Sequence, residues 1–400
     1  MKRPIVIAAG GTGGHIFPAE ALAVELLARG RTLALVTDRR GAAFSGTLAQ
    51  LPSYTIAAGT PSRGTVLTRV RGAALTALGM WQAHRLLGHL QPGAVIGFGG
   101  YPSVPTLLAA VWGGIPTVIH EQNALLGRAN RILAPRVGSI ALSFASTSRL
   151  RAADFGKAEI VGNPVRGEMR RARDAGYLPP ADDRPVNILV LGGSQGAASL
   201  SRIIPQALAS MGQTLRQRLR VSQQCRPEDL DGVHDRYRDA GIHAELGTFF
   251  DDVPRRMTTA HLVIARAGAS TVAELGIAGR PAILVPYPHA SDNHQTENAR
   301  AFAEAGAGWM LPEAEFTPPF LRTMIERLLA EPQELQDAAA QARAQGRPDA
   351  ARALADLVDR ASAVQRPLRL IRKDGAAAID REPPPLSRRR RTDMGGEAAE

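Results

Sequence analysis

A unit that recurs three times constrains the fold most: an apolar stretch, then a glycine-rich loop, then a helical pattern. The loops cover residues 10–15, 97–101 and 192–197. Strands that alternate with helices form parallel sheets with crossover helices. Glycine lets the backbone approach a phosphate closely, and the helix start that follows offers free N–H groups. Three such loops therefore predict an anionic ligand at the carboxyl ends of parallel strands.

The length of the chain and a restart of this pattern indicate two domains. The 400 residues are too many for one ordinary core, and the pattern begins again near residue 187, after a polar, proline-rich stretch. We predict an α/β fold of two Rossmann-like domains whose parallel sheets face each other across a cleft. The predicted segments are an N-terminal domain (1–162), a linker (163–185), a C-terminal domain (186–340), a C-terminal helix (341–362) and a disordered basic tail (363–400).

The charge and the cysteine content limit the partners and the compartment. The formal net charge of +11, from 48 basic and 37 acidic residues, favours an anionic partner. We interpret the arginine run 388–391 as part of a solvated tail and expect no nucleic acid partner, because no aromatic residues interleave with the arginines. The single cysteine, Cys225, fits a reducing cytoplasm. We see neither a signal peptide nor an apolar run of the ~20 residues that span a bilayer.

Two clusters of polar residues follow predicted buried strands. In the first, Ser270 and Thr271 are predicted to cap a helix, and Glu274 one turn later can accept hydrogen bonds from both hydroxyls of a ribose. The alternative role for Glu274 is to stabilise the helix start alone. The second cluster ends the strand that precedes His120, where four polar residues in a row are costly unless they pair or bind a ligand. It comprises His120, Glu121, Gln122 and Asn123.

A third cluster lies in one loop and helix start after the apolar segment 281–286. Such a set of mostly neutral donors and acceptors suits a polyhydroxylated ligand such as a sugar. Its members are His289, Asp292, Asn293, His294, Gln295 and Asn298. Binding of a dinucleotide is the weaker alternative: Asp38 ends the second strand where a ribose-binding acid would lie, but Ile16 occupies the third glycine position of the first loop.

In their combination, the three loops, residues 120–123 and residues 266–274 resemble one family closely, over roughly residues 1–360. These are the bacterial glycosyltransferases of the GT-B fold that move N-acetylglucosamine from UDP-N-acetylglucosamine to undecaprenyl-diphospho-N-acetylmuramoyl-pentapeptide. The resemblance implies an inverting transfer to the acceptor 4-hydroxyl, in the last cytoplasmic step of the lipid-linked peptidoglycan precursor. It also implies action at the cytoplasmic face of the cell membrane, and we expect neither a cofactor nor a metal.

The resemblance also assigns roles to individual residues. Asn123 and Gln295 are expected to contact sugar hydroxyls, Ser194 the donor phosphate, and Arg166 the nucleotide. The segment Ala269, Ser270, Thr271 to Glu274 is expected to hold the α-phosphate and ribose, with the uracil near the backbone of Phe250. Three residues of the first loop are expected near the sugar donor and the acceptor diphosphate, and two further residues in the acceptor cleft. The former are Thr12, Gly13 and Gly14, and the latter are Tyr101 and His120.

Two further inferences concern the base and the departures from the family. His15 and Glu121 are the candidates for the base that takes the hydroxyl proton, since both stand at loop ends facing the predicted cleft; His15 is the preferred one. Ser222 and Cys225 stand where the family often has histidine and glycine. The resemblance therefore does not predict a nucleotide contact at that loop.

A basic amphipathic pattern between residues 69 and 90 suits a membrane interface. Leu75, Leu78 and Trp81 recur at near-helical spacing, with Arg85 beside them. An ordinary packed helix is the alternative interpretation. For the whole chain, the alternatives are a related transferase with another lipid acceptor, or a non-catalytic module that binds nucleotide sugars.

Overall fold

The computed structural model describes residues 3–10, 13–38, 46–59, 66–165, 167–192 and 198–364. The first half of the chain forms a seven-stranded sheet in the order β3-β2-β1-β4-β5-β6-β7, and every neighbouring pair is parallel. Its strands are β1 (Ile5–Ala8), β2 (Leu33–Thr37), β3 (Ser53–Thr55), β4 (Ala94–Gly97), β5 (Thr117–Glu121), β6 (Ser139–Leu142) and β7 (Ala158–Ile160). The helices that connect them are α1 (Gly13–Ala28), α2 (Val66–Leu90), α3 (Ser103–Trp112) and α4 (Arg128–Leu133).

The second half forms a six-stranded parallel sheet in the order β10-β9-β8-β11-β12-β13. Its strands are β8 (Val186–Leu191), β9 (Leu219–Gln224), β10 (His243–Gly247), β11 (Leu262–Ala265), β12 (Ala282–Leu284) and β13 (Gly308–Met310). Its helices are α5 (Met169–Asp174), α6 (Ala198–Ala209), α7 (Gln213–Arg218), α8 (Leu230–Asp239), α9 (Val253–Thr259), α10 (Ala269–Ala278), α11 (His294–Glu304), α12 (Pro318–Ala330) and α13 (Pro332–Gln345). A last helix, α14 (Ala350–Ala363), follows them in the chain.

The strand orders confirm the predicted α/β fold with two Rossmann-like halves. In each half the first strand is central, and the chain leaves it in opposite directions, to β2 and β4 in one half and to β9 and β11 in the other. Such a reversal opens a crevice at the carboxyl ends of the strands, where parallel sheets bind their ligands. Strand β1 is a fully buried apolar run, and β8 is one apart from the half-buried Asn187, as expected for parallel strands covered on both faces.

The end of the described chain returns to the first half. Helix α14 buries Leu354 and Val358 in the same core cluster as Ile5 of β1. Arg29, directly after α1, binds Asp356 and Asp359 across distances of 2.6 and 3.1 Å. Where the sequence predicts one helix over 341–362, the structure has the end of α13 and then α14. The helix breaks at residues 346–349, where Pro348 lacks the N–H that a helix interior needs.

Candidate active site

Two glycine loops meet at the crevice of the first sheet. Gly99 and Gly100 adopt φ angles of +88° and +75°, which residues with a side chain rarely do. A Cβ on Gly100 would lie 3.4 Å from the Cα of Gly10, so the two loops pack backbone against backbone. A Cβ on Gly99 would lie 3.1 Å from the Cε1 of His15. The glycines therefore allow the imidazole of His15 to lie directly on the second loop.

The side-chain amide of Gln122 determines which ring nitrogen of His15 carries the proton. Gln122 is buried, and its Oε1 lies 3.2 Å from Nδ1 of His15. Its Nε2 donates to the carbonyl of Phe98 at 2.9 Å and lies 3.1 Å from Nδ1 of His120. Because Oε1 can only accept, the proton of His15 lies on Nδ1, and the lone pair lies on Nε2. Burial lowers the pKa of His15, against the charge of Glu121 and the hydrogen bond that His15 donates to Gln122. His15 is therefore neutral at pH 7.

His120 has no exposed surface. Its Nε2 donates to the carbonyl of Gly162 at 3.0 Å, and its Nδ1 accepts from Gln122. Burial lowers its pKa to about 4, and the charge of His15 acts in the same direction. Both ring nitrogens are occupied, so His120 offers no polar atom to the cleft. It supports Gln122 from behind, in contrast to the predicted position in the acceptor cleft.

Glu121 is buried and accepts four hydrogen bonds within its own loop. Its Oε1 accepts from the backbone N–H and the side-chain amide of Asn123, each at 3.1 Å. Its Oε2 accepts from the N–H of Gly127 and the amide of Asn130, each at 2.8 Å. A carboxylate that is saturated in this way organises its loop. The arrangement favours His15 over Glu121 as the base.

Helix α10 begins without a capping side chain among the described residues. Its N-cap is Gly268 rather than the predicted Ser270 or Thr271, both of which lie in the first turn. The hydroxyl of Ser270 is buried and has no partner in the described part of the chain. Glu274 lies half-buried one turn further on. N–H groups without a side-chain acceptor at a helix start suit a phosphate.

Arg266 lies between β11 and this helix, and no individual role was predicted for it. Its guanidinium is buried, binds the carboxylate of Glu313, and donates to the hydroxyl of Ser199 at 2.9 Å. It also lies over the ring of Tyr287, 5.5 Å from the centroid. The N–H of Tyr287 in turn donates to Oε1 of Gln295 at 2.9 Å. One chain of contacts thus joins the start of α10 to the predicted sugar-binding loop.

Side chains of the two halves meet at the cleft. The amide of Asn298 on α11 contacts Asn123 and the backbone N–H of Ala124, at 3.1 and 2.8 Å. Nearer the surface, Arg128 and Arg131 of α4 both bind the carboxylate of Asp292, at 2.7 and 2.8 Å. Asn123 therefore lies against α11, the helix that carries Gln295. The long-range pairs themselves had no signal in the local sequence pattern.

Several predicted residues lie elsewhere or outside the described residues. Thr12, Arg166 and Ser194 lie outside them. Gly13 and Gly14 begin α1, and a Cβ on Gly14 would meet no atom of the described residues within 4 Å. Tyr101 is exposed at the end of the second loop.

Arg256 contacts the segment that contains Ser222 and Cys225, the two residues that depart from the family pattern. The guanidinium of Arg256 donates to Ser222 at 3.0 Å and lies 4.0 Å from the ring centroid of Phe250, which is buried. Cys225 is buried as well, and burial raises the pKa of its thiol. Ser222 is therefore engaged by the protein itself. Within the described residues, no group of three or more His, Cys, Asp or Glu side chains is placed to hold a metal ion.

An exposed apolar patch covers one side of α2 and the end of α3. We define it as Val70, Leu75, Leu78 and Trp81 of α2 with Trp112 of α3, which are between 37% and 64% exposed. The guanidinium of Arg85 lies 5.0 Å above the ring of Trp81. This exposure is greater than an ordinary packed helix face requires, and it favours the predicted interface. No described helix combines the length and the apolar character that crossing a bilayer requires.

The buried histidines make stability depend on pH. Unfolding returns the pKa of His120 from about 4 to 6.5, so between these values only the unfolded chain binds the proton. The free energy of unfolding should therefore be unaffected by His120 above pH 6.5 and fall by on the order of 3 kcal/mol towards pH 4. His15 acts in the same direction. Urea titrations at pH 7 and pH 5 should show about 2 kcal/mol of this loss, because pH 5 lies about 1.5 pH units below the unfolded pKa.

His120→Gln should flatten this pH dependence even if it lowers stability at pH 7. His234→Gln, at an exposed position on α8, should leave it unchanged. An equally steep loss in the His120 variant would show that another group is responsible.

Comparison with known proteins agrees with this geometry. Residues 5–142 match the glycosyltransferase family 28 N-terminal domain, and residues 187–354 match the corresponding C-terminal domain. A protein of Paramagnetospirillum magneticum is 54% identical over 90% of this chain and 96% of its own length. A protein of Rhodospirillum rubrum is 52% identical over 88% of this chain and 91% of its own length. Both are named UDP-N-acetylglucosamine--N-acetylmuramyl-(pentapeptide) pyrophosphoryl-undecaprenol N-acetylglucosamine transferase.

Solved structures show the same relationship. The crystal structure of Acinetobacter baumannii MurG superposes with a TM-score of 0.74 at 30% identity, covering 90% of this chain and all of that one. A UDP-GlcNAc 2-epimerase from Neisseria meningitidis, at 12% identity and a TM-score of 0.61, shares the fold alone. Two matched domains, half of the residues identical to the bacterial relatives and the two-sheet architecture lead to one conclusion: the chain is a glycosyltransferase and belongs to glycosyltransferase family 28.

Proposed function

We propose that this chain moves N-acetylglucosamine from UDP-N-acetylglucosamine to the 4-hydroxyl of undecaprenyl-diphospho-N-acetylmuramoyl-pentapeptide. The relatives that share half of its residues carry names for this transfer. The observation that carries the proposal is the contact of Asn123, from the first half, with Asn298 of α11, which also donates to the carbonyl of Ala267 shortly before α10. A sugar-binding side chain and a phosphate-binding helix start thus share one cleft.

The donor is bound mainly by the second half. The uncapped first turn of α10, at Ala269, Ser270 and Thr271, faces the α-phosphate with its N–H groups. Glu274, one turn further, accepts hydrogen bonds from the ribose hydroxyls. The uracil lies near the backbone at Phe250. Ser194 and Arg166 complete the diphosphate and nucleotide contacts, and these two roles rest on the family resemblance.

The sugar and the acceptor lie between the halves. Asn123 and Gln295 bind hydroxyls of the transferred sugar. Thr12, Gly13 and Gly14 border the acceptor diphosphate at the start of α1, where a Cβ on Gly14 would meet no atom of the described residues within 4 Å. Tyr101 lies on the acceptor side of the same cleft. Helix α1 contacts α10, so the acceptor side and the phosphate side are neighbours.

The reaction is a direct displacement that inverts the configuration at C1. The acceptor 4-hydroxyl oxygen forms a bond to C1 of the donor sugar, and the bond from C1 to the diphosphate oxygen breaks. UDP leaves with the electron pair of that bond, and Nε2 of His15 takes the hydroxyl proton. N–H groups at the start of α10 stabilise the charge that grows on the diphosphate, and one such donor is typically worth about 2.7–4 kcal/mol.

The acceptor is attached to a lipid, and the apolar patch supports contact with a membrane. Exposed leucine and tryptophan side chains with arginines around them bind the interface of anionic bilayers. Arg69 and Arg71 flank Val70 on the same exposed stretch. We place the enzyme at the cytoplasmic face of the cell membrane, bound peripherally through α2 and α3.

Transfer of labelled sugar tests the proposed function directly. The full chain should transfer the sugar of UDP-N-acetylglucosamine to a diphospho-muramoyl-pentapeptide acceptor that carries a shorter lipid in place of undecaprenyl. The product is the lipid-linked disaccharide. Binding of the donor without transfer would support a non-catalytic module. Transfer only to a lipid acceptor of another kind, such as diacylglycerol, would support a related transferase instead.

Replacing His15 should remove the base while leaving the donor site intact. His15→Ala should lower kcat by about 10²–10⁴-fold with saturating substrates, because that is the usual contribution of a positioned acid or base. The KM for UDP-N-acetylglucosamine should change little. His234→Ala, at an exposed site on α8, is the matched control and should behave as wild type. Near-normal turnover by the His15 variant would refute the assignment.

Charges within the apolar patch should weaken membrane binding. Leu75→Glu with Leu78→Glu should reduce partitioning onto vesicles that contain phosphatidylglycerol by about tenfold or more, since burying one leucine contributes about 1.5–3 kcal/mol. Leu178→Glu, at a leucine that is 75% exposed outside the patch, should leave partitioning unchanged. Turnover with a water-soluble acceptor should be the same in all three proteins. Unaltered vesicle binding by the double variant would contradict the role of the patch.

A further inference from the structure

The segment that the proposed function places against the uracil joins β10 to α9. It covers residues 248–252, none of which belongs to a strand or a helix. Two hydrogen bonds from the end of β9 hold its beginning. The N–H of Cys225 donates to the carbonyl of Gly247 at 2.9 Å, and Nε2 of Gln224 donates to the carbonyl of Thr248 at 3.0 Å. The backbone at Phe250 lies beyond these bonds, so its position depends on how the side chain of Phe250 is held.

The ring of Phe250 is packed into the protein, in contrast to the ring of its neighbour. Phe250 is 6% exposed, whereas Phe249 is 65% exposed. A Cβ on Gly247 would lie 3.0 Å from Cε1 of Phe250, so the ring lies directly on the backbone at the end of β10. The guanidinium of Arg256 lies 4.0 Å from the ring centroid, within the range of a cation–π contact. Arg256 therefore holds the side chain that anchors this backbone.

Hydrogen bonds fix the guanidinium of Arg256 in turn. Its Nε donates to Asp252 at 2.6 Å, and Nη1 and Nη2 donate to the carboxylate of Glu245 at 2.7 and 2.5 Å. Nη1 also donates to the hydroxyl of Ser222 at 3.0 Å. The bond to Glu245 raises the pKa of Arg256, so the side chain is charged at neutral pH. The planar fork of an arginine suits such a set of acceptors, and a lysine could not reproduce it.

The serine at position 222 leaves room for this arrangement. Ser222 and Glu245 lie directly opposite each other on β9 and β10, and both bond to Arg256 of α9. The family often has a histidine at position 222, and an imidazole extends further from the strand than a serine hydroxyl does. It would occupy the place of Nη1 of Arg256, which lies 3.0 Å from the serine oxygen. The departure at position 222 and the arginine at position 256 are therefore complementary.

We propose that Arg256 is a positioning residue that fixes the backbone at Phe250 and thereby sets the preference of the site for uracil. The inference rests on the proposed function, because it takes this backbone to meet the base of the nucleotide. Uracil and cytosine present hydrogen-bond donors and acceptors in opposite places, so a backbone N–H and C=O in fixed positions can distinguish them. The hydrogen-bond partners of Arg256 lie on β9, on β10 and directly before α9. Its loss should therefore affect the base and spare the phosphate contacts at the start of α10.

Calorimetric titration with UDP and with CDP tests the proposal, because the two ligands differ only in the base. The wild-type protein should prefer UDP. Arg256→Met keeps an unbranched side chain near Phe250 but removes the fork. It should weaken UDP binding by about tenfold, because a displaced backbone leaves polar groups of the base unsatisfied. The Kd for CDP should stay within about twofold, because no contact to the phosphates or the ribose is removed.

Arg255→Met is the matched control. Arg255 is the exposed neighbour of Arg256 on the same helix, and its replacement removes the same charge. This variant should alter neither Kd.

A change on the neighbouring strand tests the same contact from the other side. Ser222→His should reproduce the loss of preference with Arg256 still present, because the imidazole displaces the guanidinium. Ser222→Ala removes one hydrogen bond and leaves those to Glu245 and Asp252, so it should keep most of the preference. If Arg256→Met does not fold, Arg256→Lys takes its place and should also lose the preference, because it keeps the charge without the fork.

Three results would overturn the proposal: equal weakening of UDP and CDP in the Arg256 variant, an unchanged ratio of its two Kd values, or a wild-type ratio in Ser222→His. A wild-type protein that does not prefer UDP to CDP, or that does not transfer the sugar, would instead refute the proposed function.

Discussion

A buried carboxylate must find hydrogen-bond donors, and the way Glu121 finds them arranges the first half of the cleft. Its donors come from Asn123, Gly127 and Asn130 of the segment that follows β5. Satisfying it bends this segment into one loop, fixes the side chain of Asn123 and sets the start of α4. Helix α4 then presents Arg128 and Arg131 to the second half. Leaving the buried charge of Glu121 unpaired would be costly, so the need to pair it determines the shape of this part of the site.

Next to the same strand end, His15 and His120 share buried surroundings but differ in the hydrogen bonds of their ring nitrogens. His15 and His120 share Gln122, and burial lowers the pKa of both. His120 uses both nitrogens inside the protein, while Nε2 of His15 is left for the cleft. A pKa below neutrality keeps this nitrogen unprotonated under the conditions in which a base has to act. In the proposed mechanism, the burial that costs stability at low pH also keeps the base unprotonated at neutral pH.

The sequence was sufficient for features that depend on neighbours along the chain. Apolar runs and glycine loops predicted the strands, the parallel sheets and the clustering of residues 120–123 at a strand end. It was insufficient where a partner lies far away, as for Asn123 and Asn298, which are separated by 175 positions. Local chemistry also misplaced the cap of α10, because Ser270 and Thr271 are good capping residues but Gly268 occupies the position where the backbone turns. No periodicity reveals that α14 belongs to the first half.

The return of α14 has a consequence for how the protein is made. Leu354 and Val358 complete the core that β1 begins, although more than 340 residues separate them from Ile5. During synthesis the second sheet is finished while the first still lacks part of its packing. The half that emerges first from the ribosome therefore becomes fully stable last. The apolar surface that α14 covers stays exposed until residues 350–363 have been synthesised. Contacts of high sequence separation of this kind slow folding, since a long loop must close before they form.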